Sequence, residues 1–236
     1  MKIFSKIAVL CFTVSLLFIQ SAEAAKNADN KVLPASLEKL PMAESEGEYT
    51  EEEWKVLEKD YKHVTKDRNI ILALEMMKTS VGSYSRDAIL GANLTTKPIK
   101  VQFKDLAEIN PSFQNYDAAG SIMKSKLYIN INEKHKDAPP MALAALLSHE
   151  ALHQDKFNSI NEETYAWTME AAVWTQLSAK YPEKIDYNSP LVRREEKLKK
   201  LFLKGNYTDE FIRKSIKINP AYQNLPSRSP GFEDRL

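Results

Sequence analysis

Two of the four histidines in this chain stand four residues apart in the stretch SHEALHQD, and a glutamate directly follows the first of them. His149, Glu150 and His153 therefore spell HExxH. Imidazole nitrogens are ligands for borderline metals, and two of them at helical i, i+4 spacing can bind one ion from the same helix face. A carboxylate beside the first ligand can reach a water on that ion and take its proton. That combination is the working part of metal-assisted hydrolysis.

A catalytic zinc needs a third protein ligand and one open position. No histidine follows His153, which excludes the longer pattern that ends in a third histidine. Carboxylates do follow, in SINEETYAWTMEAAVW. Ser159 and Glu162 have capping-box spacing, which gives Glu162 the task of folding back onto the helix start. Glu163 is then free to be the ligand. Glu163, Ala166, Glu170 and Trp174 share one side of the helix, and the small Ala166 permits the close approach that would bring Glu163 to the metal. Glu170 is a candidate acceptor for the far nitrogen of a ligand imidazole, and a plain salt bridge is its other reading.

These residues resemble the short-spaced gluzincin metallopeptidases, the minimal relatives of thermolysin-like enzymes. The likeness rests on HEALH, on nine intervening residues before Glu163, and on the alanine three positions beyond it. It extends over a helix, a strand, a hairpin and the two ligand-bearing helices, from about Ile70 to Leu177. It implies one zinc ion held by His149, His153 and Glu163, with Glu150 as catalytic base. It also implies that peptide substrate pairs along an exposed edge strand, whose place here is taken by Tyr116 to Met123. Thermolysin-like enzymes place an acid four residues after the ligand glutamate, where this chain has Trp167. They also use a later histidine on the oxyanion, which leaves Tyr165, Tyr187, Tyr207 or Tyr222 to supply that donor. The rival from another class is a non-catalytic, zinc-stabilised protein-binding module of the same fold.

The elements that must position these side chains can be read from periodicity. Thr50-Glu51-Glu52-Glu53 is a capping box, followed by Trp54, Leu57 and Tyr61 at helical spacing. A second helix is expected from Asp67 to Thr79, and a short one from Arg86 to Ala92. Ile99, Val101 and Phe103 alternate with polar residues as a half-buried strand does. YDAAGSIMKSKLYINI reads as a hairpin with its turn at Lys124-Ser125-Lys126. Pro139-Pro140 opens the HExxH helix, expected to reach Lys156, and a further helix spans Asn161 to Lys180. Ser189-Pro190 starts another that Gly205 stops, and the last covers Asp209 to Ile218. The fold class expected is α+β: a minimal zincin-like domain over residues 50–218, with a three-stranded sheet on the two ligand helices and extra helices at both ends. Residues 219–236 read as an irregular tail.

The first 24 residues carry Lys2 and Lys6, an apolar run to Ile19 and the small-residue pattern Ala22-Glu23-Ala24. This is the form of a secretory signal peptide cleaved after Ala24, with residues 25–49 a flexible segment behind it. The expected destination is secreted or periplasmic, with no stable membrane insertion after cleavage. Cys11 is the only cysteine and would leave with the signal, which removes disulfides and thiolate chemistry. The formal charge is +1, and losing Lys2, Lys6 and Glu23 takes away one positive charge, leaving zero. A neutral balance gives no basis for nucleic-acid binding.

Overall fold

The computed structural model describes residues 49–94, 96–123, 126–153 and 157–230. The expected signal segment, the arm up to residue 48, the tip of the hairpin and residues 231–236 lie outside the described residues. Among those described, seven α-helices and three strands form a mixed helix and sheet structure of α+β class. None of these helices is long and apolar enough to cross a membrane.

Helix α1 (Glu51–Tyr61) begins as its sequence directs. The Thr50 side chain accepts from Glu53 N–H at 3.3 Å, and Glu53 accepts from Thr50 N–H at 2.8 Å. Trp54, Leu57 and Tyr61 fall on the buried face. Helix α2 (Arg68–Lys78) is capped by Asp67 and buried along nearly all of Ile70 to Met77. Helix α3 (Ser83–Leu90) starts earlier than the sequence suggested and stops at Gly91, whose φ of 76° is left-handed. A Cβ at Gly91 would stand 2.6 Å from the Lys97 carbonyl carbon, so this close turn requires glycine.

The sheet has strand order β1-β3-β2, with β1 spanning Lys100–Lys104, β2 Ala118–Met123 and β3 Lys126–Asn132. Strand β1 runs parallel to β3, whereas β2 and β3 form an antiparallel hairpin. Met123 pairs with Lys126, so two residues separate the strands rather than the three expected. Val101, Ile129 and Ile131 point to the core, as period-two alternation requires. The other face carries a polar rung, in which Gln102 donates to Asn130 and Asn130 donates to Ser121. Among the described residues strand β2 lies at an edge of the sheet, the place that the resemblance implied for it.

Helix α4 (Pro140–Glu150) is the centre of the molecule, buried at every position from Met141 to Glu150. It packs on α2, on β2 and most extensively on α5 (Ile160–Lys180). Helices α6 (Pro190–Lys204) and α7 (Glu210–Ile218) complete the bundle and share a second apolar cluster with α5 built on Ile160, Leu198, Phe202, Ile212 and Ile216. One expectation needs correction: α4 ends at Glu150, not near Lys156. Leu152 N–H bonds His149 O and His153 N–H bonds Glu150 O, so the ladder tightens to i→i−3 and His153 lies beyond the helix.

Leu143 is fully buried in the apolar stretch that carries the histidines. Leu143→Ala is expected to lower stability by about 2–5 kcal/mol through lost burial and a residual cavity, measured by urea denaturation.

Candidate metal centre

Three successive places along the chain from α4 to α5 bring the chemistry together. His149 and Glu150 occupy the last turn of α4, His153 follows in the tightened turn, and Glu162 and Glu163 sit in the first turn of α5. Fully buried Ala166 adds no bulk between these helices, consistent with the role expected of a small residue there. One ligand atom each from His149, His153 and Glu163 falls within 4.8 Å of the others, a group that could hold a metal ion. The two Nε2 atoms are 3.1 Å apart. Glu163 Oε2 is 3.8 Å from His149 Nε2, and its Oε1 is 3.7 Å from His153 Nε2. Tetrahedral ligands at zinc bond lengths are separated by about 3.3 Å, so the three donors need only small adjustment to close on one ion.

The surrounding carboxylates decide which way the imidazoles present their lone pairs. His153 Nδ1 meets Glu162 Oε1 at 2.9 Å, so Nδ1 donates to that carboxylate and Nε2 is the nitrogen turned toward His149. His149 Nδ1 lies 3.1 Å from Glu170 Oε2, an ion-pair contact whose direction is poor for a straight hydrogen bond. Two Nε2 lone pairs aimed at each other inside the protein repel unless a cation or a proton lies between them. The donor set, two imidazoles and one carboxylate, suits zinc.

Each member of this group has a further partner. Asn158 donates to Glu163 Oε1, and Trp167 Nε1 donates to Glu163 Oε2 at 3.0 Å. Trp167 thus stands where the resemblance implied an acid, and it holds the Glu163 carboxylate itself. Glu162 is the second correction. The Ser159 hydroxyl caps Glu162 N–H as expected, but the Glu162 side chain turns to His153 instead of back to Ser159. Its other oxygen accepts from Ser229 Oγ at 3.1 Å. A charge-assisted bond to a buried imidazole is stronger than one to a backbone N–H.

Of the two roles the sequence left open for Glu170, the salt bridge is present, and toward His149 the carboxylate makes an ion-pair contact. It faces His149, and Arg194 clamps it through both carboxylate oxygens. Arg194 also reaches Asp117 at 3.1 Å and Glu195 at 2.7 Å. Burial raises the Glu170 pKa, but the Arg194 and His149 charges overcome it and keep this carboxylate ionised. Glu195 is pushed well up by burial and by the Glu170 charge, and so carries the proton of the pair. Asp117, just before β2, is bound by His135 at 2.6 Å and by Lys134 at 2.9 Å. A line of ion pairs therefore runs from the His149 imidazole to the start of the edge strand. Nothing in the local spacing around Arg194 or Asp117 pointed to this, because the partners come from separate helices and a strand.

Glu150 is 9% exposed, and no side chain among the described residues hydrogen-bonds its carboxylate. Burial raises its pKa, against the lowering effect of His149 and His153. Of the four tyrosines, Tyr187 and Tyr207 are exposed and Tyr165 neighbours Tyr84. Tyr222 alone comes to the site. Its ring stands edge-on to Trp167 at 6.4 Å, and burial followed by the Glu163 charge raises its pKa, keeping the hydroxyl protonated.

No family model, curated protein or solved structure matches this chain.

Burial alone would depress His153, but the Glu162 hydrogen bond and the Glu163 and Glu150 charges outweigh it and lift the metal-free pKa from 6.5 to about 9. A raised pKa stabilises the folded state fully below pH 6.5, and this contribution fades as pH rises through 9. The metal-free protein should therefore exceed His153→Gln in melting temperature by a margin that narrows over that interval, as calorimetry across pH would record. A margin independent of pH would disprove the assignment.

Proposed function

We propose that this chain is an exported zinc peptidase with a minimal zincin-like, gluzincin-type domain. The observation that carries this reading is the convergence of His149, His153 and Glu163, each braced from behind, beside the unengaged carboxylate of Glu150. His149, His153 and Glu163 would hold the zinc. When bound, zinc would supply Lewis acidity, making a water acidic near neutral pH and polarising a peptide carbonyl.

The rest of the chemistry falls to side chains of this protein. Glu150 takes the proton from the attacking water and returns it to the leaving amine, a task suited to a carboxylate whose pKa burial has raised. Tyr222 keeps its proton at neutral pH and donates to the developing oxyanion, the role for which the sequence offered four candidates. Substrate adds to the outer side of β2 as a further strand. That edge has no strand partner among the described residues, and Ile122 and Met123 on it are exposed. The ion pairs through Arg194 and Asp117 tie this edge to His149.

Elemental mass spectrometry of protein purified without chelator or added metal is expected to find one zinc per wild-type chain and a large loss in Glu163→Ala. Glu150→Gln should retain the zinc and lose peptide hydrolysis by about a hundredfold or more. Equal hydrolysis by Glu150→Gln and wild type would remove Glu150 from the mechanism. Tyr222→Phe should keep the metal and lower kcat by about a hundredfold with little change in KM. An unchanged kcat would show that the oxyanion donor lies elsewhere.

A further inference from the structure

We propose that the segment following α7, residues 219–230, is a working part of the metal centre, and that Ser229 positions His153 by acting through Glu162. This rests on the reading of His149, His153 and Glu163 as a metal site. The sequence of this stretch, with Pro220, Pro226 and Pro230 and no helical or strand period, reads as irregular. Apart from one 3-10 turn at Pro220–Tyr222 it is irregular, yet it is docked against the first turn of α5. The first N–H groups of a helix have no partners within it. Here Ile160 N–H donates to Pro226 O at 2.9 Å and Asn161 N–H donates to Ser227 O at 3.2 Å. Leu225 packs on the cluster that contains Ile160. The turn bearing Glu162 and Glu163 is therefore fixed from outside by this returning strand of chain.

Ser229 is where the docking meets the chemistry. It is 3% exposed, and its Oγ donates to Glu162 Oε2 at 3.1 Å. A carboxylate held at one oxygen cannot rotate freely, so this bond sets the direction of the other oxygen, which holds His153 Nδ1 at 2.9 Å. That contact fixes the tautomer and ring angle of His153, the ligand outside the helix and so the one with least backbone constraint. Ser229 touches neither metal nor substrate. Its effect passes along Ser229, Glu162 and His153 to the Nε2 lone pair.

The test is zinc affinity of the metal-free full chain, titrated with zinc alone against a chromophoric chelator, in a cycle of Ser229→Ala, Glu162→Ala and the double variant. Ser229→Ala should weaken zinc binding about tenfold, toward the lower end for outer partners of a ligand. Ser229→Thr, which keeps the hydroxyl, should restore it. Glu162→Ala should weaken binding further, and adding Ser229→Ala to it should then change little, because the route through Glu162 is already cut. Unchanged affinity in Ser229→Ala would overturn the proposal. So would losses that multiply in the double variant, since Ser229 would then act independently of Glu162. A wild-type chain that binds no zinc would overturn the metal reading itself and this inference with it.

Discussion

Two imidazole Nε2 atoms stand 3.1 Å apart, a spacing at which they share one proton or one cation, and the side chains around them hold that arrangement. Losing it would take only a rotation of either ring. What prevents rotation is the carboxylate behind each ring, Glu162 for His153 and Glu170 for His149. Buried carboxylates are themselves costly unless paired, so each needs its own partner. Ser229 serves Glu162, and Arg194 serves Glu170.

This requirement propagates outward. Arg194 is shared among Glu170, Glu195 and Asp117, and only one of the two buried glutamates can remain ionised beside it. Glu170 does so because it also faces His149, and Glu195 is left to carry a proton. Asp117, held well below the ordinary carboxylate range by His135, Arg194 and Lys134 despite its burial, anchors the beginning of β2. The ligand helix, the bracing helix α6 and the edge strand thus meet through charge as well as through apolar contact. Breaking this line at one member would strand its neighbours without partners, a larger penalty than the loss of a single bond.

The apolar framework makes such a dense polar centre tolerable. Helix α4 is buried along its length and fixes the level of His149 and Glu150, while its packing on α5 fixes the level of Glu163. The sheet lies against α4 through β2, so the exposed strand edge and the candidate metal group are positioned by one rigid element. Trp167 joins the polar and apolar parts. It donates to Glu163, contacts the His149 ring, and lies beneath the Arg194 guanidinium at 4.9 Å.

The sequence by itself determined the elements and the residue types of the candidate metal group. Caps at Thr50 and Asp67, period-two alternation at Val101 and Phe103, and proline at the start of α4 are local signals, and the helices and strands arose where those signals stood. His149, His153 and Glu163 were readable because residue type and spacing alone single them out. The tertiary structure decided what each side chain faces. Glu162 had the spacing of a capping residue, yet a buried imidazole offered it a stronger partner than a backbone N–H. His153 was expected on the helix, but the chain turns tightly after Glu150 and presents it from outside. Arg194, Asp117, Ser229 and the choice of Tyr222 depend on segments far apart in the chain, and no local period encodes a contact between them. Periodicity records which face a residue takes, whereas the partner it meets there is set by how the faces pack.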